Sequence, residues 1–212
     1  LPPGPTPKAL STHLQKLRPL SSRGRLCRRP LLAAATAAPA AAAASPNDEP
    51  LSPPLPALLY GYGAYGACTE AGWDAERLAV VDSGLLHAIC HVRGGGEMGR
   101  AWHEAGRRER KPTTFTDVVA CARTLVASGL VRADSLALEG RSAGGLLVGA
   151  TLNRAPELFA CALASVPFLD AAGTLQDGAL PLTANEWEEF GNPNEVGGHA
   201  AVLGFSPVHN VV

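Results

Sequence analysis

The sequence predicts an α/β fold, a mostly parallel sheet with helices packed on both faces. Three observations point to it. From residue 55 onward, apolar runs of strand length alternate with segments of helical spacing. The runs are mostly apolar and do not alternate with polar residues, as strands covered on both faces do not. Gly-rich segments at 61–66, 94–96 and 140–145 each follow one of these runs, where the carboxyl ends of parallel strands carry functional loops.

Residues 57–60 read as a strand that enters the loop Gly61-Tyr62-Gly63-Ala64-Tyr65-Gly66. Residues 74–81 read as a helix and 85–92 as a second buried strand, which runs into Arg93-Gly94-Gly95-Gly96-Glu97. Phe115, Val118, Val119, Ala122, Leu125 and Val126 recur at helical spacing, with Thr114 and Asp117 as the expected cap. Residues 135–139 form the next strand, 146–152 an apolar helix behind it, and 161–166 a further strand.

A length of 212 residues is enough for one domain with a substantial core. The net charge of −1 gives no reason to expect a nucleic-acid or membrane-surface partner. The five cysteines (Cys27, Cys68, Cys90, Cys121, Cys161) contain no close pair, hence no zinc spacing and no disulfide framework. Cys90 and Cys161 lie in apolar runs and are expected to be buried thiols. A reducing, cytoplasmic compartment is the default, with organellar import a weaker expectation.

Residues 1–54 differ from the rest. They are rich in Pro, Ala and basic residues and hold no acidic residue before Asp48. That is a transit-peptide composition, but Met98 is the only methionine and no start anchors it. The segment is expected to be disordered and of low complexity, with the folded domain spanning 55–212. Residues 31–44 are too short for a membrane span and Pro39 interrupts them.

The chemistry concentrates at Gly140-Arg141-Ser142-Ala143-Gly144-Gly145, between a strand and an apolar helix. Strand, G-x-S-x-G, helix is the nucleophile elbow of the α/β-hydrolase fold. Its serine sits on a turn so tight that side chains at Gly140 and Gly144 would collide with strand and helix. Ser142 is the candidate nucleophile, and the Ala143 N–H the expected first oxyanion donor. The Tyr62 hydroxyl could be the second; from pattern alone, ordinary packing is an equal reading. Residues 93–97 lack the order and lysine of a phosphate-binding loop.

A general base is harder to find, because hydrolase triads run Ser, acid, His along the chain and only His199 and His209 follow Ser142. A Ser142–Asp170–His209 triad is conceivable but disfavoured, since no strand precedes His209. His87 and His91 read as core or loop-anchoring residues. Glu186, Glu188 and Glu189 flank Trp187, and Glu186 and Glu189 share a helix face. They form either a solvated helix start or a carboxylate pocket for a basic group.

Taken together, LLYGYGAYG at 58–66, CHVRGGGEMG at 90–99, WHEAGR at 102–107, GRSAGG at 140–145, RAPELF at 154–159, LPLT at 180–183, EWEEFGNP at 186–193 and FSPVHNV at 205–211 resemble the prolyl oligopeptidase family of serine peptidases. Within it, the motifs are most similar to oligopeptidase B and its prolyl-endopeptidase-like relatives. The resemblance implies a serine-type peptidase that hydrolyses peptides after Arg or Lys through an acyl-enzyme on Ser142. It makes Tyr62 the oxyanion tyrosine and Glu186 with Glu188 the carboxylates that bind the basic side chain. Of a second acidic pair, Glu70 is kept and the other position is Gly72. Peptides are the implied partners, and no cofactor or metal is implied.

The same resemblance puts the catalytic Asp and His beyond residue 212. The hydrolase domain is therefore expected to be incomplete at its C-terminal end, and residues 1–54 do not match the family's N-terminal propeller. An esterase or thioesterase, or an inactive remnant, are the competing expectations.

Overall fold

The computed structural model describes residues 33–36 and 54–212. Five strands pair in the order β1-β3-β2-β4-β5, and every pairing is parallel. They are β1 (Ala33–Thr36), β2 (Leu55–Tyr60), β3 (Leu86–His91), β4 (Val131–Arg141) and β5 (Cys161–Ser165). The helices are α1 (Ala75–Asp82), α2 (Arg100–Glu104), α3 (Pro112–Ala127), α4 (Ala143–Leu152), α5 (Ala171–Gln176), α6 (Thr183–Phe190) and α7 (Gly198–Leu203). This is the α/β-hydrolase arrangement that the sequence predicts. Of the segment 1–54, Ala33–Thr36 pairs with Ala88–His91 as the edge strand β1. Most of that segment, with Cys27, lies outside the described residues.

The elements form where the sequence favours them, with instructive shifts at their ends. Asp74 caps α1, accepting from the backbone N–H of Glu76 at 2.8 Å and of Arg77 at 3.2 Å. Pro112 occupies the first turn of α3, where its missing N–H leaves no bond unmade. Thr114 and Asp117 are therefore not the cap of that helix. Both turn to the Gly-rich loop instead: the Thr114 hydroxyl donates to the Arg93 carbonyl at 2.6 Å, and Asp117 accepts from the Arg93 N–H at 3.0 Å and Nε at 2.8 Å. On the same loop, Glu97 accepts from the Thr69 N–H at 2.9 Å.

The core lies between the sheet and its helices, with Leu59, Ala88, Ile89, Phe115, Val118, Leu136, Leu138 and Leu146 fully buried. α4 is buried around nearly its whole circumference, which explains why its sequence is apolar without a polar face. β5 is different. All its residues are exposed, Cys161 among them, so the expected burial of that thiol is not observed. The run was apolar enough for a covered strand, but β5 stands at the sheet edge with one neighbour. Among the described residues no helix is long and apolar enough to cross a membrane.

One contact sets how closely α4 approaches β4. A Cβ on Gly140 would lie 2.1 Å from the Gly144 carbonyl oxygen and 3.0 Å from Val148 Cγ2. Backbone cannot yield there as a side chain could. Gly140→Ala is expected to lower stability by about 2 kcal/mol or more. A urea unfolding midpoint equal to that of the parent chain would show that the turn relaxes at no cost.

Candidate active site

Ser142 sits at the junction of β4 and α4 with φ 56° and ψ −116°, a conformation that non-glycine residues avoid. Three backbone hydrogen bonds hold it there. Its N–H donates to the Ser165 carbonyl at 2.9 Å, and its carbonyl accepts from Gly145 at 2.8 Å and Phe168 at 3.2 Å. Such a residue costs on the order of 1–3 kcal/mol and persists where its surroundings over-determine it. The side chain is exposed and makes no capping bond, so the hydroxyl is presented outward at the start of α4. Ala143 is the first residue of that helix, and its N–H has no intrahelical acceptor.

Tyr62 stands against this turn. Gly61 continues β2, donating to the Glu139 carbonyl at 3.0 Å. A Cβ on Gly144 would lie 2.7 Å from the Gly61 carbonyl and 3.4 Å from the Tyr62 ring. The absence of side chains at Gly144 and Gly61 thus lets the tyrosine loop lie directly on the elbow. Burial raises the Tyr62 pKa, and Tyr60, Glu186 and Glu189 push it the same way. The phenol therefore stays protonated and able to donate.

Glu186 reaches the same loop. Tyr65 donates its hydroxyl to Glu186 Oε2 at 2.6 Å, and its ring meets the Phe190 ring edge-on at 5.8 Å. Burial, then Glu186, raises the Tyr65 pKa far above that of a free phenol. Glu188 goes elsewhere. An i, i+2 separation on α6 turns the two side chains to opposite sides. The Glu188 carboxylate is 74% exposed and pairs with Arg108, with Arg107 at 3.9 Å. Glu189 is the residue that shares the Glu186 face. Glu70 is exposed on the loop before α1, where its carbonyl accepts from Arg77 at 2.7 Å.

Four of the five described imidazoles are engaged elsewhere, and the fifth, His87, is buried. Pro207 packs on Gly149, where a Cβ would lie 2.8 Å from Pro207 Cβ. Gly149 is about 10 Å of helix beyond Ser142. His209, two residues on, lies 3.0 Å from the Ser206 hydroxyl and 3.9 Å from Asp170, while Asp170 caps α5 by accepting from Gly173 at 2.8 Å. Asp170 and His209 thus lie near each other, but among the described residues no hydrogen bond joins either to the Ser142 side chain. His91 anchors a loop through the Thr69 carbonyl at 2.7 Å, and His199 meets Gln176 at 3.0 Å. His87 is buried in β3 with Nδ1 unpartnered among the described residues.

Sequence reasoning missed Tyr65, Lys111 and His103, and it singled out Glu189 without its buried partners. Lys111 ends the strongly charged run Arg107-Arg108-Glu109-Arg110-Lys111, which reads as solvated surface. It is instead 2% exposed and ion-paired to Glu189 at 2.8 Å. Its signal was faint: a lysine immediately before the proline that opens a helix.

Residues 73–212 match the prolyl oligopeptidase family. Protease 2 of Moraxella lacunata is 42% identical over 158 residues, which are 74% of this chain and 23% of that protein. Prolyl endopeptidase-like of Homo sapiens is 44% identical over 139 residues, 66% of this chain and 19% of that protein. Oligopeptidase B from Trypanosoma brucei, solved with covalently bound antipain, aligns with TM-score 0.74 at 51% identity, covering 77% of this chain and 23% of its own. The chain thus spans less than a quarter of the length of these relatives. With the match running through the elbow and α6 alike, the chain belongs to the prolyl oligopeptidase family.

Proposed function

We propose that this chain carries the nucleophile, the oxyanion donors and a specificity carboxylate of a serine peptidase that cleaves after Arg or Lys. The observation that carries the reading is the elbow: Ser142 held at φ 56° with Tyr62 packed on the turn behind it. In this reading Ser142 Oγ attacks the peptide carbonyl and its proton passes to a general base. The oxyanion that forms accepts from the Tyr62 hydroxyl and the Ala143 N–H. Collapse expels the amine, which takes up the proton, and leaves an acyl-enzyme; water then releases the acid and restores the serine. Four of the five described imidazoles are hydrogen-bonded elsewhere and the fifth, His87, is buried in β3, so the base is assigned to a histidine outside the described residues. The covalent antipain on the Trypanosoma brucei relative supports a covalent mechanism for the family.

For substrate choice, Glu186 is the carboxylate assigned to the basic side chain. From α6 it reaches the tyrosine loop, where it already accepts from Tyr65 at 2.6 Å. A planar guanidinium beside it would gain a charge-assisted bond. Glu188, paired with Arg107 and Arg108, is assigned no direct part.

Fluorophosphonate labelling of the native protein, read by peptide mapping, is expected on Ser142. Labelling that maps to another serine, or turnover of acyl thioesters with none of Arg amides, would overturn the peptidase reading. Tyr62→Phe is expected to lower kcat roughly 10- to 1000-fold with KM little changed, because an oxyanion donor acts mainly in the transition state. An unchanged kcat would make Tyr62 a packing residue only. Glu186→Gln is expected to cut kcat/KM for Arg substrates by about 2–4 kcal/mol, roughly 30- to 1000-fold, by leaving a buried cation short of its partner. Glu188→Gln is expected to stay within about threefold, as exposed ion pairs contribute little. Equal losses in the two variants would restore the paired-carboxylate expectation.

A further inference from the structure

We infer that Lys111, together with Glu189, is a positioning residue that holds the Tyr62 loop and helix α6 in one fixed relation. The inference rests on the reading of Tyr62 as an oxyanion donor. Its basis is geometric. The Lys111 ammonium, 2% exposed, donates to Glu189 Oε1 at 2.8 Å and to the Gly63 carbonyl at 2.9 Å, and lies 5.0 Å from the centre of the Phe190 ring. The second Glu189 oxygen lies 2.7 Å from His103 Nε2. His103 in turn lines Gly66, where a Cβ would lie 3.4 Å from its ring. One carboxylate on α6 therefore reaches the tyrosine loop at two points, by hydrogen bonding through Lys111 at Gly63 and by packing of the His103 ring at Gly66.

The loop cannot evade that grip. Gly63 has φ 68°, and a Cβ on it would lie 2.6 Å from Thr114 Cγ2 and 2.7 Å from Val92 Cγ2. Its carbonyl is also closed in from the side, 2.3 Å from where a Cβ on Gly94 would be. On the other partner, Glu189 is one turn from Glu186, so anchoring it sets the rotation of α6 that turns Glu186 to Tyr65. The contacts close a ring: Tyr62 to Gly63, to Lys111, to Glu189, to Glu186, to Tyr65 and back along the loop. A buried charge pair is weak evidence for stability, since apolar residues of similar volume often do as well. What this one adds is a directional link between the two groups assigned to substrate.

A double-variant cycle on the native protein tests this, with kcat for an Arg ester counted per fluorophosphonate-titrated site so that losses of folded protein do not register. Lys111→Met/Glu189→Leu removes both charges together and is expected to fold. It should lower kcat roughly 10- to 100-fold with a smaller change in KM, because Tyr62 loses its placement. In the Tyr62→Phe background the same pair should cost less than about threefold more, as residues acting as one unit are not additive. A merely structural role gives losses that multiply, and that result, or an unchanged kcat, overturns the inference while leaving the oxyanion reading intact. A Tyr62→Phe variant of normal kcat sinks the oxyanion reading and the positioning role with it. If the paired variant does not fold, the isosteric Glu189→Gln, with a several-fold loss expected only when Tyr62 is present, decides the matter by the same cycle.

Discussion

Where β4 turns into α4, the Gly144 carbonyl occupies the space that a side chain on Gly140 would need. That close approach fixes the geometry of Ser142 between them, and with it the direction of the Ala143 N–H. Gly144 has a second role on its other side, where the Gly61 carbonyl and the Tyr62 ring rest against it. The strand carrying the serine and the loop carrying the tyrosine are therefore brought together by one small residue. In the proposed mechanism a wider turn would separate two groups that meet the same substrate atom, and a misplacement of about 1 Å is costly in catalysis.

The loops at the carboxyl ends of β2 and β3 have few side chains with which to pack. They are held by charge and hydrogen bonding from the segment that opens α3. Thr114 and Asp117 fasten Arg93, and Lys111 fastens Gly63. Three neighbouring residues of one helix start thus hold two loops. The rigidity a site needs comes here from polar anchors placed in a well-packed layer, since glycine backbone supplies none of its own.

The fold was legible because its signals are local. Strand-length apolar runs, helical spacing and the G-x-S-x-G turn each occupy a short window, and β2, β3, β4 and α4 appear where those windows fall. What was not legible depends on partners distant in sequence. Cys161 reads as core from its run, but exposure is decided by what stands beside β5. Thr114 and Asp117 read as a cap because capping is a local pattern, whereas their partner lies more than twenty residues upstream. Glu186 and Glu188 appear as a pair in the motif, yet helical geometry parts them and turns Glu188 to Arg108. Lys111 is the extreme case. Composition places it on the surface, and partners far along the chain, the Glu189 carboxylate 78 positions on and the Gly63 carbonyl 48 positions back, make its burial tolerable.

His87 gives the fold a relation to acidity. It is enclosed between β3 and α1, and burial, with Arg77 adding to it, lowers its pKa from 6.5 to about 4. The folded chain therefore keeps this imidazole neutral through a range in which the unfolded chain takes up a proton. The contribution to stability is fully present above pH 6.5 and drains away as the pH falls from there to about 4. Proton uptake at His87 thus favours the unfolded chain, so the strand that feeds the Gly-rich loop ties the stability of the fold to acidity.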